Sequence, residues 1–273
     1  MGLRKMTIEK KEPRKRFLAL DTSTATLGVV ITENHKVVHE INASGERNHS
    51  VHLIPIIEQA LQASGTVGSS LSGISVGIGP GSYTGTRIAV SAAKTLAWAW
   101  NVPVVGVSTL HALAWGGFMK GSEGHATRSE SQSPDWIIPL LDARRGQAYT
   151  AIFAANGTLC PENLAPDAIR LMQDWVQQLV QLLQQAEAEG NKPPCLWFVG
   201  ETALHASEES LAPLEEITSI RVVSYELEGR WTGFLGEQRH SHGSDDIHSL
   251  IPNYTQLSEA EANLRKNTEG GSK

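Results

Sequence analysis

Two acidic residues, each at the end of a predicted buried strand, are the leading candidates for chemistry. The first is followed by three hydroxyl residues, and the second by a turn of small and basic residues. Hydroxyls and turn amides donate to phosphate oxygens, and a carboxylate can hold Mg²⁺ through water. Alternatively, acidic and hydroxyl side chains bond to the local backbone and only shape the turn. The candidate nucleotide-binding residues are Asp21, Thr22, Ser23, Thr24 and Asp142.

A glycine-rich stretch at residues 77–87, GIGPGSYTGTR, joins a predicted buried strand at 73–78 to a predicted helix. Thr84 is the expected N-cap, because its hydroxyl can accept a hydrogen bond from a first-turn amide. Free amides and the positive end of the helix dipole suit an anion. The stretch is not a Walker loop, since Thr86 and Arg87 stand where Lys and Ser or Thr belong. A tight structural turn is the alternative to phosphate binding.

The helix that follows, at about residues 84–100, is apolar around nearly its whole circumference. Such a helix must be buried on two sides. One side is expected to cover a sheet, and the other carries Ala89, Ala93 and Ala97 at helical spacing. That stripe of small residues needs a second helix or a partner protein against it. The sequence therefore predicts an interface on this helix.

Two pairs of basic residues are candidate ligand groups. His49 and His52 lie three residues apart on a predicted helix, but zinc needs further ligands and none is near in sequence. We therefore expect polar histidines on a helix surface and no metal site. Arg144 and Arg145 could bind an anionic ligand or partner, or form a solvated structural pair. No residue has the sequence surroundings of a catalytic nucleophile.

The predicted elements repeat along the chain. Each half begins with a strand that ends in Asp, and helices and further apolar strands follow. Apolar strands separated by helices indicate parallel pairing under helical cover. The sequence therefore predicts a duplicated α/β fold with a cleft between two lobes. The predicted strands are 17–21, 28–32, 36–41, 73–78, 102–107, 136–142, 147–153, 196–199 and 220–224, and the predicted helices are 49–64, 84–100, 109–115 and 166–189.

Composition sets the domain organisation. The chain has 273 residues, of which 40% are hydrophobic, enough for two domains. It shows no apolar run as long as a membrane span and no signal peptide, so we expect a cytoplasmic protein without membrane contact. Residues 231–242 are weakly patterned, and 258–266 have the pattern of a short helix. The expected division is a disordered basic leader at 1–16, an N-terminal lobe at 17–116, a linker or mobile loop at 117–134, a C-terminal lobe at 135–262 and a disordered tail at 263–273.

The charge of the chain is unevenly distributed. The net charge is −6, and residues 1–16 hold seven Lys or Arg against two Glu, so the remainder carries −11. A body this acidic is a poor nucleic-acid binder by itself. We expect it to meet any nucleic acid only as part of a complex.

Several motifs in their order along the chain resemble those of the bacterial TsaB (YeaZ) family. The most specific is the glycine-rich stretch, and the resemblance covers roughly residues 17–261. The matching blocks are Leu20-Asp21-Thr22-Ser23, His49-Ser50, residues 77–88, residues 141–146, Val199-Gly200-Glu201, Pro252-Asn253-Tyr254 and residues 258–261.

The resemblance implies a two-lobed actin/Hsp70/sugar-kinase-like fold with duplicated mixed sheets. It also implies a role in forming N6-threonylcarbamoyladenosine at position 37 of tRNAs that read codons beginning with A. In that role the chain is a non-catalytic scaffold that acts with a TsaD-like catalytic subunit and a TsaE-like ATPase, forms a homodimer when alone, and meets tRNA only through the complex.

The same resemblance also bears on cofactors and on the residues that contact a partner. Ser23 and Glu201 stand where related ATPases have glycines, so neither ATP nor Mg²⁺ is expected as a cofactor, and the spacing of His49 and His52 does not match the metal ligands of TsaD. The two helices of the first lobe are the expected partner surface. Its predicted residues are His52, Ile56, Thr84, Arg87, Ala89, Ala93 and Ala97.

Two other functions remain open from the residues alone. An independent ATPase or sugar-type kinase would use the two turns that follow Asp21 and Asp142. A metalloprotease, a label that the wider family has carried, would require bound zinc.

Overall fold

The computed structural model describes residues 15–44, 49–123, 133–157 and 159–255. The predicted leader, tail and 258–266 helix lie wholly or almost wholly outside these residues. The strands are β1 Arg16–Asp21, β2 Thr26–Glu33, β3 Lys36–Ser44, β4 Gly73–Gly77, β5 Val104–Val107, β6 Asp135–Asp142, β7 Gln147–Ala155, β8 Glu162–Leu171, β9 Cys195–Gly200 and β10 Ser219–Ser224. The helices are α1 His49–Ala63, α2 Tyr83–Trp100, α3 Thr109–Ser122, α4 Met172–Ala188, α5 Glu208–Glu215 and α6 Gly229–His240.

The ten strands form two five-stranded sheets of the same design. The first has the order β3-β2-β1-β4-β5 and the second the order β8-β7-β6-β9-β10. In each sheet three strands form an antiparallel meander, and the last two strands run parallel to the first. The predicted duplication is therefore confirmed, and β1 and β6, which end in Asp21 and Asp142, hold equivalent central positions.

Alternating residues of the first sheet face two different layers. Leu18, Leu20 and Ile74 belong to the buried cluster that α1 and α2 cover. On the other face, the glycines of α6 approach the side chains of Ala19 and Ser75. This period of two is the expected result of the pleat, and it places the first sheet between two helical layers.

Two helices lie between the sheets. Although α3 precedes the second sheet in sequence, it packs on β6, β9 and β10, whereas α6 packs back on β1, β2 and β4. The prediction of a linker starting at residue 117 is wrong for 117–122, which form the last turns of α3. Gly117 is buried there against Val199. The weakly patterned stretch at 231–242 is mostly α6, because glycines rather than large apolar side chains seat it on the sheet.

The predicted helix at 166–189 is wrong in its first turn and a half. Residues 162–171 are β8, which pairs with β7 at the sheet edge, and its Pro166 is exposed. An edge strand tolerates proline because one row of its amides has no ladder partner. Helix α4 begins only at Met172, from which buried residues recur at helical spacing at Trp175, Val176 and Leu179.

Candidate cleft and helical face

The glycine-rich stretch docks directly onto the turn between β1 and β2. The Ser82 amide donates to the Ser23 carbonyl at 2.7 Å, and the Thr22 hydroxyl donates to the Gly85 carbonyl at 2.6 Å. The Ser82 hydroxyl accepts from the Gly85 amide at 3.2 Å, so Ser82 is the N-cap of α2 and the prediction of Thr84 is wrong. Thr84 is the second residue of the helix, too late to cap its first turn.

Both oxygens of the Asp21 carboxylate accept hydrogen bonds within the same packed turn. Its Oδ1 accepts from the Ser23 amide at 2.7 Å, and its Oδ2 accepts from the Thr109 hydroxyl at 2.9 Å. Burial raises the pKa of this carboxyl, while the bonds from Ser23 and Thr109 act in the opposite direction. A methyl group on Gly77 would overlap the carboxylate, so this glycine is needed for close approach.

These contacts decide between the two interpretations of the first turn. Asp21, Thr22 and Ser23 are each at most 2% exposed, and Thr24 is half-buried with its hydroxyl bonded to the Thr26 carbonyl. A phosphate would have to displace the glycine-rich stretch to reach the first three. The structure therefore corrects the assignment of these three residues to nucleotide binding: they brace a turn.

Substitution of Gly85 tests the contact between the glycine-rich stretch and the β1–β2 turn. Alanine in place of glycine normally stabilises a helix, but here a methyl group would overlap the backbone carbonyl of Thr22. We expect Gly85→Ala to lower the free energy of unfolding by about 3 kcal/mol, measured by urea denaturation. Ser91→Ala, at an exposed position of the same helix, is the control and should leave stability within about 0.5 kcal/mol. Equal stability of the two variants would contradict the docked turn.

The turn between β6 and β7, which follows Asp142, is held by a different set of hydrogen bonds. Asp142 Oδ1 accepts from the Arg144 amide at 3.0 Å and lies 2.9 Å from Nε2 of the buried His205. The Asp142 amide donates to the Glu201 carboxylate at 2.7 Å. Glu201 thus ties the end of β9 to this turn. One oxygen of the Asp142 carboxylate is therefore engaged within the chain.

The turn itself has an unusual backbone. Arg144, Arg145 and Gly146 all have positive φ, at 65°, 55° and 72°. Left-handed conformations cost a non-glycine residue roughly 1 kcal/mol, and tight hairpin turns require them. Asn34 and His35 hold the same pair of conformations at the β2–β3 turn. Both arginine side chains are exposed and line a cleft.

That cleft has a volume of about 330 Å³ and lies between the glycine-rich stretch, the arginine turn and the last described residues. Its lining includes Tyr83, Tyr149 and Tyr254, but no acidic side chain from the described residues. Arg87 connects two of these rings: its guanidinium lies 4.0 Å from the centre of Tyr83 and donates to the Tyr254 hydroxyl at 2.8 Å. The cleft is therefore cationic and aromatic.

The predicted partner surface is only partly accessible. Ala89, Ala93 and Ala97 are fully buried in the core under α1 and the first sheet, so their assignment to an interface is wrong. Small residues let α2 approach its own neighbours closely, which is why the stripe needs no partner protein. Of the other predicted residues, Thr84 and Arg87 are exposed, and His52 and Ile56 are half-buried.

Exposed apolar side chains on the two helices lie elsewhere. Val51 and Ile54 on α1 are 63% and 52% exposed, and Trp98 on α2 is 71% exposed. Sequence analysis missed them because Ile54 also fits the helical spacing of the core residues. Trp98 lies in the last turn of α2, far along the helix from Thr84 and Arg87. We define the helical face by the N-terminal parts of the two helices, as Val51, Ile54, Thr84 and Arg87.

Two further candidate groups for chemistry are the pair His49 and His52 and the thiol of Cys160. His49 Nε2 lies 3.2 Å from the Thr24 carbonyl, and within the described ranges no three His, Cys, Asp or Glu side chains are grouped to hold a metal. Burial raises the pKa of the Cys160 thiol to about 11, which disfavours the thiolate. None of the helices in these ranges combines the length and apolar character that crossing a bilayer requires.

Comparison with known proteins agrees with this architecture. The solved structure of YeaZ from Pseudomonas aeruginosa matches with a TM-score of 0.63 and 19% identity, covering 88% of this chain and 99% of that one. The likeness confirms the predicted two-lobed actin/Hsp70/sugar-kinase-like fold with its duplicated mixed sheets.

Sequence comparison identifies the family. A family model described as TsaD, tRNA N6-adenosine threonylcarbamoyltransferase, matches residues 36–217. The tRNA threonylcarbamoyladenosine biosynthesis protein TsaB of Bacillus subtilis is 34% identical over 249 residues, covering 90% of this chain and 96% of that protein. TsaB of Escherichia coli is 34% identical over 139 residues, covering 50% and 54%. The chain therefore belongs to the TsaB (YeaZ) family.

Proposed function

We propose that the chain is a non-catalytic subunit for forming N6-threonylcarbamoyladenosine at position 37 of tRNA. It acts with a TsaD-like catalytic subunit and a TsaE-like ATPase, in the cytoplasm. A part in tRNA threonylcarbamoyladenosine biosynthesis follows from family membership, since its relatives carry that name.

The observation that carries the proposal is the state of the two acidic residues. Asp21 is buried and bonded to Ser23 and Thr109, and Asp142 is bonded to Arg144 and His205. Both oxygens of Asp21 and Oδ1 of Asp142 are thereby occupied, which disfavours Mg²⁺ binding beside a phosphate. An ATPase or kinase that used these two turns would first have to break those contacts, so we expect no nucleotide-driven turnover by the isolated chain.

The helical face supports a protein partner. Val51 and Ile54 lie one turn apart on α1 and expose adjoining aliphatic surface to water, which suits contact with a protein. Helices α1 and α2 both begin beside the β1–β2 turn, at His49 and Ser82. The first turns of both helices therefore present one surface. The same surface would form the homodimer when the catalytic subunit is absent.

Association is the direct test of this surface. In analytical ultracentrifugation, the isolated chain is expected to sediment as a dimer, and an equimolar TsaD-like subunit should convert it to a heterodimer. A chain that stays monomeric and ignores the catalytic subunit would contradict the proposed partnership. A second experiment measures phosphate release when the isolated chain is incubated with Mg-ATP. We expect none, because the chain is proposed to be non-catalytic.

A further inference from the structure

We propose that Asn156 undergoes spontaneous covalent modification, in which its side-chain amide is lost and aspartate and isoaspartate form in its place. The Gly157 amide nitrogen is the attacking group, so the site needs no enzyme. The inference does not rest on the scaffold role, because the modification is read from the isolated chain. Either proposal can therefore fail while the other stands.

The order of the two residues favours the reaction. Asn156 precedes Gly157, and every other asparagine of the chain precedes a residue with a side chain. Ring closure brings the backbone nitrogen of the following residue onto the side-chain carbon of asparagine, and a Cβ on that residue crowds the approach. Glycine has no Cβ and adopts conformations that other residues avoid. Asparagine is already among the thermolabile residues, and the sequence therefore indicates that this one is the most reactive in the chain.

The structure leaves the pair open to water. Asn156 and Gly157 follow Ala155, the last residue of β7, and both are exposed. Gly157 has a φ of 65°, and a methyl group built on it would meet no other described group within 4 Å. The space that the cyclic intermediate requires is therefore available without displacing a neighbour.

The hydrogen bonding of the fold distinguishes this pair from another exposed turn. Within the part of the chain that the structure describes, neither the Asn156 side chain nor the Gly157 amide has a hydrogen-bond partner. Asn34 differs, because its Oδ1 accepts from a backbone amide and the amide of the following His35 donates to the buried Glu237 carboxylate at 2.8 Å. Attack on Asn34 would have to break these bonds, so we expect Asn156 to react first.

The reaction balances with water as its only co-reactant. The Gly157 nitrogen loses its proton and forms a bond to Cγ of Asn156, and the bond from Cγ to Nδ2 breaks. Nδ2 leaves as ammonia, which takes up the proton. Water then opens the cyclic imide at either carbonyl. One opening gives aspartate, and the other gives isoaspartate, in which the main chain passes through Cβ and Cγ.

Conversion changes the charge and the length of the connection between β7 and β8. It adds a negative charge, and isoaspartate adds an atom to the backbone. Ala155, beside the site, pairs with Asp135 at the start of β6, whereas the turn that lines the cleft follows Asp142 at the end of that strand. The modified turn therefore lies at the opposite end of the sheet from the cleft.

Ageing of the purified full-length chain tests the site. The chain is incubated at neutral and at mildly alkaline pH, digested, and analysed by mass spectrometry, and isoaspartate is counted with an isoaspartyl methyltransferase and labelled S-adenosylmethionine. We expect the peptide that contains Asn156 to convert to two products of equal mass. Conversion should be faster at the higher pH, because the Gly157 nitrogen must lose its proton. The peptide that contains Asn34 is the internal control and should keep its amide.

Two variants show whether the proposed atoms react. Asn156→Gln should abolish conversion, because its longer side chain would have to close a larger ring that forms more slowly. Gly157→Ala should slow conversion severalfold or more, because the added Cβ crowds the attacking nitrogen. Thermal denaturation checks that both variants are folded.

Each outcome decides the proposal. Conversion of the Asn156 peptide ahead of the Asn34 peptide, suppressed in both variants, supports it. An Asn156 peptide that stays unchanged under both conditions overturns it, as does conversion of the Asn34 peptide at the same rate. A Gly157→Ala chain that converts as fast as the parent also overturns it.

Discussion

Replacing Ala93 with arginine is expected to unfold the first lobe. Ala93 is fully buried between α2, α1 and the first sheet, in a cluster that includes Leu18 and Ile57. Arginine would bring a charge and a long side chain into an apolar core without an acidic partner. Such a change costs more than about 4 kcal/mol, a large share of the stability of a typical domain. Circular dichroism and thermal denaturation measure the loss.

The control for this substitution lies two residues away. Ser91→Arg adds the same side chain at an exposed position of α2 and should change stability by less than about 0.5 kcal/mol. A cooperatively folded Ala93→Arg chain that melts near the parent temperature but no longer binds its partner would contradict the structure. That result would instead support the sequence-based prediction that the alanine stripe of α2 contacts a partner protein.

Replacing Ile54 with arginine is expected to abolish partner binding while the chain stays folded. Ile54 is 52% exposed, so arginine can reach water there, but it would place a charge in the apolar centre of the proposed contact. Truncation or charging of a central interface residue costs at least about 2 kcal/mol, or more than about thirtyfold in affinity. Affinity for the catalytic subunit is measured by calorimetry.

Gln59→Arg provides the matched control for the interface. Gln59 is exposed on α1 but faces away from Ile54, because five residues place it more than 100° around the helix. It should bind like the parent. If Ile54→Arg and Gln59→Arg bind equally well, the helical face as defined here is not the contact surface.

The duplicated sheets could be predicted because each half begins with the same signal. An apolar strand that ends in Asp is rare enough that its recurrence at 21 and 142 indicates two copies of one unit. Strand β8 could not be predicted, because its edge position removes the apolar alternation of a buried strand. Its polar residues also run directly into the polar positions of α4, so the sequence shows no boundary between the two. Helix α6 was missed for a related reason: glycine packing leaves no hydrophobic stripe.

The candidate site was harder to predict than the fold. The residue types that bind phosphate also brace turns, so only the contacts of Thr22 with Gly85 distinguish the two. The alanine stripe of α2 was ambiguous in the same way, because small residues mark close packing whether the neighbour is inside the chain or outside it. The left-handed backbone at Arg144 has no signal in an Arg-Arg sequence, and only the structure shows it.

Modification of tRNA in a reconstituted system tests the central claim most directly. Purified TsaD-like and TsaE-like subunits, given the threonylcarbamoyl donor and unmodified tRNA, are assayed for threonylcarbamoyladenosine with and without this chain. Product should form only when the chain is present, and Ile54→Arg should fail where Gln59→Arg succeeds. Equal product without the chain, or product from the chain alone, would contradict its role as a partner that contributes a surface rather than chemistry.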